Sequence, residues 1–276
     1  MVNGNKGIRE ILKTGKNINI LDDRTGVYES IAGLMADTIK KNNEYGRTTS
    51  FILPVGPRGQ YRRFAALCNS RRISCRNLVT VNMDEFLDDD DHYICMSNPV
   101  SFRGFMKENL FDLLDSDLAV KPENIYFPDP ENPRETGKLI QELGGADICF
   151  SGVGINGHIA FNEPVEDMPI GDFMGLETRV LGVSRDTMII TSLKYNGFVD
   201  LIPRRCITIG MKEIAASKKI NIYLEHPHQA AALHKILYSK PSARFPVTLI
   251  TRMEKSGLFV TREVISGVSN ADRLRS

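Results

Sequence analysis

Residues 147–164 read DICFSGVGINGHIAFNEP. Asp147 to Val153 is an apolar run bounded by turn residues, the pattern of a strand in a covered sheet. Gly152-Val153-Gly154-Ile155-Asn156-Gly157 then matches G-x-G-x-x-G, which after a strand points to a dinucleotide-binding turn. Such a turn has to open a helix whose N-terminus faces a pyrophosphate. Here His158 to Pro164 runs on to Pro169 and Gly171 without a long helical period, and the strand is not the first of the chain. No nicotinamide or flavin is expected. The remaining reading is that the glycines let the backbone approach a small polar ligand.

Similar runs recur on either side: Ser50 to Val55, Leu78 to Met83, Arg179 to Val183, Cys206 to Gly210, Ile220 to Leu224 and Pro246 to Thr251. Helical spacing lies between them, in Val27, Ile31, Leu34, Met35 and Ile39 and in Val100, Phe105, Met106, Leu110, Phe111 and Leu114. Ser97-Asn98-Pro99 and Asn132-Pro133 supply helix starts, and Gly144-Gly145 a stop. The alternation predicts a doubly wound, Rossmann-like α/β fold, a mostly parallel sheet with helices on both faces. It forms one domain over 25–276, preceded by a polar extension over 1–24.

Lys plus Arg (35) nearly cancels Asp plus Glu (34) in the 276 residues, so no basic field marks a nucleic-acid partner. No run of about 18 apolar residues occurs and no apolar segment follows the first lysine, so neither a membrane partner nor a leader is expected, and the expected location is cytoplasmic. The five cysteines are scattered and never in a C-x-x-C pair, which reads as reduced and mostly structural thiols. A homo-oligomer is left open.

Ligands of doubly wound sheets bind beyond the carboxyl ends of the strands. One such end, Asn82-Met83-Asp84-Glu85, places two acids side by side, and strand alternation lets only one face a given pocket. A carboxylate partly desolvated there becomes a stronger base; an acidic cap on a loop is the plain alternative. In the glycine loop, His158 and Glu163 can share protons in one pocket, or the histidine can satisfy loop carbonyls with the glutamate in solvent. Arg58, Arg62 and Arg63 beside a Gly-Pro turn bind a phosphate or sit in solvent. Asp88 to Asp91 reads as a solvated loop and His226-Pro227-His228 as a helix entry, so no metal is implied.

With Asn82-Met83-Asp84-Glu85 and Gly152 to Pro164 together, the chain resembles the glucosamine-6-phosphate deaminase (isomerase) family from about Val27 to about Val260. That resemblance implies conversion of an aldose 2-amino-sugar phosphate and water to a ketose phosphate and ammonia, without a cofactor. By it, Asp84 moves a proton between C2 and C1, His158 opens the pyranose ring, and Asn156 and Glu163 orient and tune that histidine. Gly56, Arg58, Gly59, Glu85, Gly154, Gly157, Arg179 and Lys194 are the expected substrate-binding residues. The 6-phosphogluconolactonase branch shares the fold, but its motif resembles G-H-T-A-S-L-F-P, whereas Ile159-Ala160-Phe161-Asn162-Glu163 follows His158 here. A hydrolase or isomerase acting on a different or unphosphorylated sugar, or a sugar-binding regulator without catalysis, is the alternative.

The departures cluster at one subsite. The family's phosphate loop resembles T-G-G-T-P, whereas this chain has Val55-Gly56-Pro57-Arg58-Gly59, losing a hydroxyl and an N–H donor. The family's phosphate arginine falls at Leu193, beside Lys194, and its lysine falls in Glu225 to Gln229, where none occurs. Either Arg58, with Lys194, replaces those contacts, or the substrate lacks phosphate there.

Overall fold

The structure is a computed structural model and describes residues 18–271. An edge strand, β1 (Ile18–Leu21), leads into α1 (Arg24–Glu44), whose N-cap Asp23 accepts a hydrogen bond from the Gly26 amide. Val27, Ile31, Met35 and Ile39 form its buried face, as their spacing predicts. Then come β2 (Thr49–Leu53), α2 (Gln60–Arg71), β3 (Leu78–Asn82), β4 (Asp84–Leu87) and α3 (Phe102–Asn109). They are followed by β5 (Ile125–Tyr126), α4 (Arg134–Glu142), β6 (Ile148–Ser151), α5 (Ile170–Met174), β7 (Arg179–Gly182) and α6 (Arg185–Ser192). The chain continues through β8 (Arg205–Thr208), α7 (Met211–Ala216), β9 (Ile220–Leu224), α8 (Ala230–Tyr238), α9 (Val247–Ile250), β10 (Ser256–Thr261) and α10 (Arg262–Ala271).

Seven strands make one sheet in the order β1-β10-β9-β6-β2-β3-β5, with every pairing parallel. Adjacent residues of a strand feed opposite cores. Phe51, Leu53, Ile148, Phe150 and Tyr223 pack with α1 and α2, while Ile52, Cys149, Ile222 and Leu224 pack with α7, α8 and α10. Both faces are therefore apolar and helix-covered, the doubly wound arrangement expected. Fully burying one such side chain is worth about 1.5–3 kcal/mol.

The sequence reading needs four corrections. Arg179–Gly182 and Arg205–Thr208 are strands, but of a separate antiparallel sheet ordered β4-β8-β7. Pro246 to Thr251 is not a strand but holds α9, four buried residues of which three are apolar; a run that short has no period to separate the two states. The helix expected from Pro99 starts later, at Phe102, because Ser101 rather than Ser97 or Asn98 is the N-cap, accepting from the Gly104 amide. Ile18–Leu21 pairs with β10 and α1 begins at Arg24, so the domain starts before residue 25; residues 1–17 lie outside the described residues.

From β2 the chain builds outward to β3 and β5, and from β6 it builds the other way to β9 and β10. The connections after β2 and β6 diverge, and that switch point leaves a crevice at the strands' carboxyl ends. Met83 joins the two sheets beside it: its amide donates to Leu53 O at 3.0 Å and its carbonyl accepts from Ile209 N at 2.8 Å. Asp84 follows directly at the mouth.

Candidate active site

The crevice is a cavity of ≈ 500 Å³. The turn after β2 (Pro54 to Arg58), the joint Met83-Asp84, the glycine loop after β6, one side of α6, and the segment Glu225 to Gln229 line it. Its polar groups fall into a reaction end and a distal end.

At the reaction end, the glycine loop folds His158 back over its own start. A Cβ on Gly154 would lie 2.1 Å from His158 Cε1, so only glycine lets the ring lie there. His158 Nδ1 is 2.9 Å from Asn156 Oδ1 and 3.3 Å from Glu163 Oε2. Asn156 Nδ2 donates to Glu163 Oε2 at 2.7 Å, and Thr187 Oγ1 donates to Glu163 Oε1 at 2.6 Å. Thr187 is held by Ser184, the N-cap of α6, whose Oγ accepts from the Thr187 amide at 3.2 Å. With Nδ1 engaged, Nε2 is the ring nitrogen free for the cavity. Burial alone would push the Glu163 carboxyl up, but the hydrogen bond and charge of His158, with Thr187 and Asn156, outweigh it and hold it at about 2.

Asp84 is 7% exposed, and among the described residues its carboxylate accepts no hydrogen bond. Burial, then the neighbouring Glu85 charge, pushes its carboxyl well above the usual range. Of the two adjacent acids, Asp84 is the one that lines the cavity.

The adjacent acid does something else. Glu85 is fully buried and accepts from the Phe102 amide at 2.9 Å, the Arg103 amide at 2.7 Å, the Ser101 hydroxyl at 2.9 Å and its neighbour Phe86 N at 2.8 Å. It ties the N-terminus of α3 to β4 and, contrary to the expectation of a substrate-binding residue, does not line the cavity. Arg179 is a second correction: its Nη1 donates to Asn162 Oδ1 at 2.9 Å and to Glu177 O, bracing the loop from outside the cavity. Gly59 lies under the Tyr28 ring and Gly157 under Phe245, so these two also pack rather than line. Gly56, Arg58, Gly154 and Lys194 do line it. Arg62 bonds Asn109 Oδ1, and Arg63 donates to Gly59 O and covers the Tyr28 ring.

At the distal end, Arg58 stacks on Phe105 at 4.9 Å and Lys194 follows α6; neither has an ion pair among the described residues. Burial, then the Arg58 charge, lowers the Lys194 pKa. Glu225 and His226 follow β9 directly, with Glu225 Oε1 at 3.3 Å from His226 Nε2. Tyr28 beside them is raised to about 12, by burial and then by the charge of the Glu225 carboxylate and the hydrogen bond between the two side chains. The strand-end rule applied to β9 points to Glu225 and His226, where the sequence comparison notes only a missing lysine. Tyr28 and Thr187 carry no comparable signal. Among the described residues no three His, Cys, Asp or Glu side chains come together as a metal site. The acidic loop is occupied otherwise, since Asp88 Oδ1 accepts from two loop amides and Asp91 pairs with Arg205 at 2.6 Å.

A glucosamine-6-phosphate deaminase of Borreliella burgdorferi is 32% identical over 219 residues, covering 75% of this chain and 76% of the relative. The chain belongs to the glucosamine-6-phosphate deaminase family. The deaminase-family enzyme of Porphyromonas gingivalis is 28% identical over 219 residues, 76% of this chain and 77% of its own. Among solved structures, a monomeric glucosamine-6-phosphate deaminase superposes with a TM-score of 0.78 at 26% identity, covering 91% of this chain and 99% of that one. A 6-phosphogluconolactonase from Thermotoga maritima reaches a TM-score of 0.64 at 15% identity, over 89% of this chain and 99% of that one, a likeness of fold alone. No family model matches. As a member of the deaminase family the chain is an enzyme, and among its described residues no helix is long and apolar enough to cross a membrane.

Proposed function

We propose that this enzyme converts glucosamine 6-phosphate, or a close 2-amino-sugar phosphate, and water to the corresponding ketose phosphate and ammonia. The observation that carries the reading is one cavity holding an unbonded, desolvated Asp84 carboxylate and a His158 ring fixed through Nδ1. His158 Nε2 serves the ring opening, in which the C1–O5 bond breaks, the ring oxygen gains a proton and the anomeric hydroxyl gives one up. Asp84 takes the proton from C2, giving an enolamine, and returns it to C1. Water then adds to the resulting C2 imine and ammonia leaves. Asn156, Glu163 and Thr187 act by fixing the ring of His158, not by touching the sugar. Ring opening, the C2 to C1 shift, and the addition of water with loss of ammonia are all steps that positioned acid and base groups assist.

Arg58 and Lys194 hold the phosphate, in place of the hydroxyl, arginine and lysine that the sequence lacks. The free thiols fit a reducing, cytoplasmic compartment. A lactone-hydrolysing reading has only the shared fold behind it, and a non-catalytic sensor has no use for a raised carboxyl beside an oriented imidazole. The test is release of ammonia and ketose from glucosamine 6-phosphate, galactosamine 6-phosphate and their unphosphorylated forms. Turnover of the phosphorylated sugars is expected, and none on any of the four sinks the reading. His158→Gln should slow a cyclic substrate more than an open-chain analogue; equal losses would remove its ring-opening role.

A further inference from the structure

The segment Glu225 to Gln229 lines the distal end, but its last side chain reaches across to the reaction end. Ser151 and Ile222 are the last register pair between β6 and β9, and beyond them the two chains part. Gln229 spans the gap. Its Oε1 accepts from the Glu225 amide at 2.7 Å and the His226 amide at 2.8 Å, and its Nε2 donates to Val153 O at 2.7 Å, 76 residues away in sequence. Two donors on one side and an acceptor on the other leave one orientation for the amide. The side chain is buried and, although Gln229 stands at the start of α8, it makes no cap bond to that helix.

Val153 O shares a peptide group with Gly154 N, which donates to His158 O at 3.0 Å. The same glycine lies beneath the imidazole, so close that a Cβ would run into the ring. Gln229 and the His158 backbone therefore hold the two sides of one peptide, and that peptide is the floor under the ring. Asn156 and Glu163 hold the ring at Nδ1, while the floor sets its tilt about that point and with it the place of Nε2. We propose that Gln229 is a positioning residue for ring opening: by clamping the Val153–Gly154 peptide it sets where His158 Nε2 stands in the cavity. The proposal rests on the deaminase reading for the reaction, but not for the geometry of the ring. A plain brace of the segment would cost stability when removed and leave ring opening in the folded fraction untouched.

Two variants separate these roles. Gln229→Leu removes every bond of the side chain. Gln229→Glu keeps an acceptor for the two amides but, when ionised, turns an oxygen instead of an N–H on Val153 O; protonated, it donates there again. Burial beside Glu225 raises the pKa of a carboxyl introduced at this position, so both forms are reached between about pH 5.5 and about pH 8.5. The charged and titratable groups around the segment are Glu225, His226 and His228 on it, Arg24 and Tyr28 from α1, and Arg58 and Lys194. The wild type carries all of them, so dividing variant by wild type at each pH removes their titration. The substrates are glucosamine 6-phosphate and its 4,5-dideoxy analogue, which has no hydroxyl placed to close a five- or six-membered ring. An added charge near the phosphate weakens both alike, so the readout is the ratio of kcat on the cyclic sugar to kcat on the open one.

In Gln229→Leu that ratio should fall about tenfold or more at every pH. In Gln229→Glu it should stay within about twofold of the wild type at the lower pH and fall about tenfold towards the higher, as the donor to Val153 O is lost. Methyl glucosaminide 6-phosphate, blocked at C1 so that it cannot open, reports binding alone by calorimetry. The imidazole 15N signals of His158, identified by their loss in His158→Gln, should move in Gln229→Leu. An unchanged ratio in both variants, a ratio in Gln229→Glu that rises with pH, or unmoved His158 signals would each overturn the proposal. Weaker binding of the blocked sugar with the ratio unchanged would overturn it too, and make Gln229 a brace of the distal end. Because Gln229→Glu retains both amide bonds, it decides the matter even if Gln229→Leu does not fold. No ammonia from glucosamine 6-phosphate with the His158 signals displaced in the variant would end the deaminase reading and leave Gln229 positioning the ring; ammonia release with signals and ratio unmoved would do the reverse.

Discussion

The two ends of the cavity are finished to different degrees. Around His158 the protein supplies the partners itself: Asn156, Glu163 and Thr187 are bonded to one another and to Nδ1 within 2.6–3.4 Å. At the distal end the two cations, Arg58 and Lys194, have no ion pair among the described residues. Groups fixed in advance need no reorganisation as charge moves, which suits the reacting atoms. Groups left open gain their partners when ligand arrives, which suits recognition. Asp84 is the exception at the reaction end: its poise comes from burial and from Glu85, not from hydrogen bonds. Substitutions at the reaction end should therefore act on kcat, and those at the distal end on KM.

The largest effect is expected at Asp84. Asp84→Asn should lower kcat by about 10²–10⁴-fold while the blocked sugar phosphate binds nearly as before. Wild-type kcat/KM should fall as pH drops through the raised Asp84 pKa, above the usual ~3.9, because the base must be ionised. The same shift bears on stability. A carboxyl whose folded pKa is raised is most favourable to folding below its unfolded value, and that benefit is lost as pH rises through the folded value. Asp84→Asn should thus have a higher urea midpoint than the wild type in mildly alkaline buffer, the gap closing in acid. An inactive variant without that gain would mean that Asp84 is not the strained group of the site.

Next comes Arg58→Ala, which should weaken a phosphorylated sugar by about 1.5–3 kcal/mol with little change in kcat and none for an unphosphorylated analogue. If kcat fell as far as KM rose, the division between the two ends would not hold. Glu85→Gln replaces an acceptor for four donors by a group that is half donor, so it should cost about 1–3 kcal/mol of unfolding free energy in a urea titration. Activity in the folded fraction should change less, with the acid limb moving down as the charge beside Asp84 disappears. The smallest effect belongs to Thr187→Val, which removes one donor to Glu163. It should slow cyclic substrate about tenfold or less and leave an open-chain substrate at the wild-type rate, measured as ketose formed.

Asp84 and Glu85 show how far sequence reasoning reaches. Strand alternation requires that two adjacent acids face apart, and the structure places one at the cavity and the other beneath α3. Which face becomes cavity depends on Met83, which bends the chain from one sheet into another, a long-range event with no local signature. Arg179 fails for a related reason, since its strand belongs to the small sheet and its guanidinium is spent on Asn162.

The sequence by itself determined the doubly wound sheet, because apolar runs buried on both faces and amphipathic helices are written in short-range periodicity. It also determined the His158, Asn156 and Glu163 cluster, whose members lie within eight residues of one another and are brought together by one loop. Tertiary structure alone decided the partners that come from afar: Thr187 against Glu163, and Tyr28, Arg58, Lys194 and Glu225 around one distal end. Those groups arrive from four separate connections at the switch point of the sheet. Charge and size at each position are legible in the chain, but which charges share a low-dielectric space is fixed only when the strands are ordered.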